Sequence, residues 1–170
     1  MERDAQRMAA GLLKAMQAER EGQHFYRMAS ASTQDAQGRR IFGDLADDER
    51  EHEDFLKQHY ESVLQTGKPD AAARLGPARE FAEHHPIFSE ELRQRAATAH
   101  YEMTALSIGM QLELAAVNFY EGEAAAVSDA TVKDFYRRLA AWERGHLTAL
   151  QRQADELKED YWNAAGFAPF

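Results

Sequence analysis

Six residues of this 170-residue chain have the types and spacing needed to hold metal ions: Glu19, Glu49, His52, Glu113, Glu143 and His146. They form two equivalent sets because the chain repeats itself. Residues 16–56 read MQAEREGQHFYRMASASTQDAQGRRIFGDLADDEREHEDFL. Residues 110–150 read MQLELAAVNFYEGEAAAVSDATVKDFYRRLAAWERGHLTAL, at a constant offset of 94 with no gap. Each copy keeps a lone Glu (Glu19, Glu113), then Phe-Tyr, then Glu-x-x-His (Glu49 to His52, Glu143 to His146). Residues three apart on a helix share a face. Each Glu-x-x-His therefore aims a carboxylate and an imidazole at one point. One such motif arises easily in an acidic helix; two in register, each with its own partner Glu, are far more specific. Carboxylate with imidazole suits iron, manganese or zinc. The competing reading is a salt-bridged interior, but burying four carboxylates without a cation is costly.

These residues need helices to position them. Ala, Glu, Gln, Leu, Arg and Met dominate two long proline-free blocks, and all are good helix formers. Ser32 to Gly38 is a polar, glycine-containing turn in the first block, and Ser128-Asp129 offers an N-cap in the second. The sequence thus predicts helices over about 4–31, 36–65, 104–127 and 129–160. A crossover over about 67–103 contains Pro69, Pro77 and Pro86, with a short helix starting near Ser89. In an antiparallel hairpin, residues at equal height lie equally far from the turn. The midpoints between Glu19 and its Glu-x-x-His fall near residues 34 and 35, inside the first turn. Those between Glu113 and its Glu-x-x-His fall on Ser128-Asp129. Both hairpins thus bring their ligands to one level. Two hairpins joined by one long crossover describe an all-α, ferritin-like antiparallel four-helix bundle in a single domain, 1–170. The expected pieces are hairpin 1 (about 4–65), the crossover, hairpin 2 (about 104–160) and an aromatic tail, 161–170. One Glu from each of two helices and Glu-x-x-His from each of the others is the di-iron carboxylate pattern.

The stretches MQAEREGQHFY, LADDEREH, MQLELAAVNFY and LAAWERGH resemble the rubrerythrin group of the ferritin-like superfamily. The resemblance covers about half the chain. It implies two iron ions, with manganese or zinc as substitutes, ligated by the six residues, with Glu49 and Glu143 as bridges. It also matches Tyr26 and Tyr120 to buried tyrosines whose hydroxyls contact ligand carboxylates; core packing with a satisfied hydroxyl is the alternative. The implied function is a redox enzyme acting on dioxygen or hydrogen peroxide. Non-catalytic iron binding, ferroxidase or storage activity, or sensing is the alternative. Two departures stand out. Rubrerythrins proper carry a rubredoxin-like domain with four cysteines, and this sequence has no Cys, so an external electron donor is expected. They also carry an extra Glu three residues after the third-helix ligand, where this chain has Ala116, with Gly22 as its repeat mate. A further asymmetry is Asp48 before Glu49 against Trp142 before Glu143. Asp48 would either orient a ligand His across the bundle or lie on the surface.

The rest of the sequence narrows the function. Without cysteine there is no disulfide, thiolate zinc site or iron–sulfur cluster. The net charge of −9 argues against nucleic-acid binding. No run reaches the roughly 20 apolar residues of a spanning helix, and the N-terminus does not read as a signal peptide. A cytoplasmic protein without membrane association, a homodimer or higher oligomer, is expected. Phe25, Phe42, Phe119 and Tyr136 read as core. Arg50 and Arg144 read as structural ion pairs. His24, His59 and His100 read as non-ligands, the last two on the surface. His84-His85-Pro86 reads as linker rather than metal site, and the tail as a docking segment.

Overall fold

The computed structural model describes residues 2–75 and 86–166. Helix α1 spans Glu2–Ser32 and α2 Ala36–Thr66; a single-turn α3 (Glu90–Arg93) and a 3₁₀ turn (Ala96–Thr98) follow; α4 spans His100–Ala126 and α5 Ala130–Ala165. The described residues contain no strand. Helix α1 packs along α2 and α4 along α5, and the two hairpins meet across α1 and α4. This is the ferritin-like four-helix bundle expected from the sequence.

Local chemistry sets the helix ends. Asp35 caps α2 by accepting from the Gly38 N–H at 2.7 Å, and Asp129 caps α5 by accepting from Thr131 and Val132 at 2.8 and 3.1 Å. Gly67, at φ 74°, ends α2 in the left-handed conformation and bonds back to Val63. The expected short helix starts at Ser89, whose hydroxyl accepts from the Leu92 N–H. Asp35 also accepts from the Ser89 N–H and hydroxyl, which pins the crossover to the first hairpin's turn.

Several boundaries differ from the sequence reading. The first turn is only Thr33–Asp35, and Gly38 lies inside α2. Its role is close approach: a Cβ there would stand 2.7 Å from Phe88 Cε1. Helix α4 starts four residues earlier than expected. Helix α5 runs past Tyr161 and Trp162 to Ala165, so the first half of the expected tail is helix. Residues 167–170, His84, His85 and Pro77 lie outside the described residues.

Two apolar clusters fill the bundle, one at each end. Tyr26, Phe42, Leu45, Phe88, Leu106, Leu150 and Leu157 belong to the first. Met8, Leu12, Phe55, Leu56, Tyr120, Phe135, Tyr136 and Leu139 belong to the second. Burying each large side chain contributes about 2 kcal/mol. Phe42 and Tyr136 are fully buried, while Phe25 and Phe119 pack on the clusters from partly buried positions. Between the clusters lies a polar layer.

Candidate metal centre

The structure brings all six sequence-predicted residues together in that layer. Glu19, Glu49, His52, Glu113, Glu143 and His146 are between 0 and 4 % exposed. Glu19 comes from α1, Glu49 and His52 from α2, Glu113 from α4, and Glu143 and His146 from α5. Two overlapping groups form. Glu49, Glu113, Glu143 and His146 each offer a ligand atom, all within 4.8 Å of one another; Glu19, Glu49 and His52 form the second such group. Glu49 belongs to both. Glu143 faces both imidazoles: its Oε1 lies 3.1 Å from His52 Nδ1 and its Oε2 3.5 Å from His146 Nδ1. His52 Nδ1 is also 3.2 Å from Glu19 Oε2, and His146 Nδ1 is 3.3 Å from Glu49 Oε1. The two rings stack at 5.6 Å and 15°.

The surrounding groups cross between hairpins. Tyr26 on α1 donates its hydroxyl to Glu113 on α4, and Tyr120 on α4 donates to Glu19 on α1. The sequence pointed to ligand carboxylates but not to this exchange. Asp48 is buried, its Oδ2 3.5 Å from His146 Nε2, so the surface reading of Asp48 does not hold. Trp142, its repeat mate, packs edge-on against His52 with ring centroids 4.7 Å apart. Arg50 pairs with Asp47 and Arg144 with Glu121, both at the surface, as structural ion pairs do. His24 and His100 are exposed. His59 is not: it is buried between the Phe55 and Phe135 rings, and its Nδ1 accepts from the Asp70 N–H at 3.1 Å. The start of the crossover folds back over α2 and covers it. No local pattern signals that return.

The electrostatics are those of carboxylates crowded out of water. Burial, then Glu113, Glu143 and Glu19, holds the Glu49 carboxyl well above the usual range. Burial pushes Glu113 up to about 7, with His146 opposing it. Burial acts the same way on Glu143, but the His52 and His146 imidazoles win and hold it below the usual range. Burial lowers both imidazoles; their carboxylate neighbours, Glu143 for His52 and Glu113 for His146, outweigh it and raise them. Burial and the adjacent carboxylates raise both tyrosines, so their hydroxyls stay protonated donors.

A cavity of about 270 Å³ opens onto Glu19, Glu49 and Glu113 between α1 and α4, walled by Gly22, Leu112, Ala116 and Phe119. At Gly22 a Cβ would lie 3.2 Å from Glu49 Oε2. A larger cavity of about 370 Å³, between Met8, Pro69 and Val127, contains none of the six residues.

This arrangement is matched by a family model. The rubrerythrin model aligns with residues 11–154 and takes in all six residues of the centre. The chain belongs to the rubrerythrin family. No curated protein and no solved structure matches it. Within this rubrerythrin, the buried donor set fits a metal pair. Glu49 Oε1 and both Glu143 oxygens are buried and accept no hydrogen bond, which leaves lone pairs that a cation would satisfy. Among the described residues, no helix is long and apolar enough to cross a membrane.

Proposed function

We propose that this rubrerythrin is a di-iron redox enzyme that reduces hydrogen peroxide or dioxygen with electrons from an external donor. Glu19 and His52 would hold one ion and Glu113 and His146 the other, with Glu49 and Glu143 shared. The observation that carries this is the pair of ligand groups overlapping at Glu49, with Glu143 facing both imidazoles. Four carboxylates balance the charge of two divalent ions, and the absence of thiolate suits iron or manganese. When bound, two iron ions supply the two-electron capacity that the reduction needs.

The chain's own residues do the rest. Tyr26 and Tyr120 donate hydrogen bonds to Glu113 Oε1 and Glu19 Oε1, which fixes those carboxylates and leaves their second oxygens to face inward. The α1–α4 cavity admits a small molecule to the Glu19, Glu49 and Glu113 side. Its apolar walls, Leu112, Ala116 and Phe119, limit the water that reaches the carboxylates.

A second reading, iron oxidation for storage or sensing, draws support from Ala116 and Gly22. Neither position supplies the additional carboxylate found in peroxidase-type relatives. Metal analysis after expression with iron tests the centre: two ions per chain are expected, falling in E49A and E143A. A parent content near zero removes the assignment. Repeated consumption of peroxide or dioxygen under a reductant supports the enzyme, whereas a single stoichiometric oxidation favours iron handling.

A further inference from the structure

The internal repeat makes the two halves of the centre directly comparable, and one difference lies against the histidines. Asp48 and Trp142 are repeat mates, each preceding a shared Glu. Each reaches across to the histidine of the other Glu-x-x-His: Asp48 to His146 and Trp142 to His52. Both imidazoles turn Nδ1 toward the carboxylates, so Nε2 is the outer nitrogen of each. For His146, that nitrogen lies 3.5 Å from a buried carboxylate oxygen. For His52, it is buried, and among the described residues no carboxylate oxygen stands at ion-pair distance from it, both of its carboxylate contacts being to Nδ1. The ring beside it belongs to Trp142, at 4.7 Å and 61°.

We propose that the two metal positions are unequal, with Asp48 strengthening the His146 position and Trp142 leaving the His52 position weak. This rests on the di-metal reading above. A carboxylate on the outer N–H of a ligand histidine fixes its tautomer and raises its basicity, and losing such a partner costs about 10–100-fold in metal affinity. An indole offers at most a weak N–H···π contact. The first ion occupies the His146 position and the second the His52 position. Asp48 and Trp142 are thus positioning residues that act through their histidines.

Zinc titration of the chelator-stripped full chain tests this. Calorimetry should show two steps about 10–100-fold apart. In histidine ¹⁵N spectra, His146 Nδ1 should shift with the first equivalent and His52 Nδ1 with the second. D48N should weaken the first step by a similar factor. W142D, which places a carboxylate opposite His52, should tighten the second step toward the first, while W142F should leave it weak. Trp142 borders a cavity of about 360 Å³ with Phe55 and Arg138, which gives the shorter Asp room and a route to solvent. Two equal steps, His52 shifting first, or W142D and W142F behaving alike while D48N changes nothing would overturn the inequality with the di-metal centre intact. No zinc binding in the parent would overturn the centre itself.

Discussion

Glu113→Gln should stabilise the metal-free protein, although it damages the proposed centre. Burial holds Glu113 near 7 against an ordinary 4.5. The unfolded chain releases this proton near pH 4.5, whereas the folded chain retains it to about pH 7. The folded state therefore binds more protons between those values, and raising the pH lowers its stability. The loss is complete above pH 7 and amounts to about 3 kcal/mol, from a rise of about 2.5 pH units at 1.36 kcal/mol each. Gln keeps the carbonyl that Tyr26 can donate to, but carries no charge to bury. Urea unfolding followed by circular dichroism, in chelator at pH 8, should show E113Q more stable by about 2–3 kcal/mol. At this chain length that is roughly 4–12 °C in Tm. At pH 4.5 the two proteins should agree within about 1 kcal/mol. With saturating metal the order should reverse, because the parent gains stability from binding that the variant has weakened. An E113Q protein no more stable than the parent at pH 8, or equally stabilised at both pH values, would refute the reasoning.

Further outcomes follow from other parts of the structure. Tyr26→Phe removes the hydroxyl donated to Glu113 and should weaken metal binding about 10–100-fold by calorimetry; unchanged affinity would show that the bond is not coupled to the ion. Gly38→Ala drives a Cβ to 2.7 Å from Phe88 and should cost about 1–3 kcal/mol in thermal unfolding; a neutral result would mean the crossover yields freely. Burial holds His59 down at about 4, with Asp70 opposing and Arg138 assisting. The unfolded chain takes up this proton as pH falls through 6.5, so the parent should lose about 2 kcal/mol relative to His59→Gln between pH 6.5 and 4. Parallel stability curves for the two proteins would contradict the buried neutral imidazole.

The legible part of this molecule was its register. The repeat located six residues, and their distances from Asp35 and Asp129 placed them at one height before any packing was known. Chain spacing measures height directly, because a tight turn makes antiparallel helices mirror each other residue by residue. The illegible part was what meets across the hairpins. Tyr26 bonding Glu113 rather than Glu19, Asp48 reaching His146, and Trp142 covering His52 depend on how each hairpin is rotated toward the other. No residue spacing encodes that rotation. His59 was misread for a related reason: its burial comes from Asp70 and the returning crossover, contacts made by a segment with no periodicity of its own. Gly38 looked like a turn residue, yet the side chain that requires it, Phe88, is fifty positions away. The sequence alone determined the helices, their pairing and the level of the candidate metal centre, because these follow from local propensity and counting. Only the tertiary structure decided which neighbour each ligand has, and hence that the two halves of a duplicated centre are chemically different.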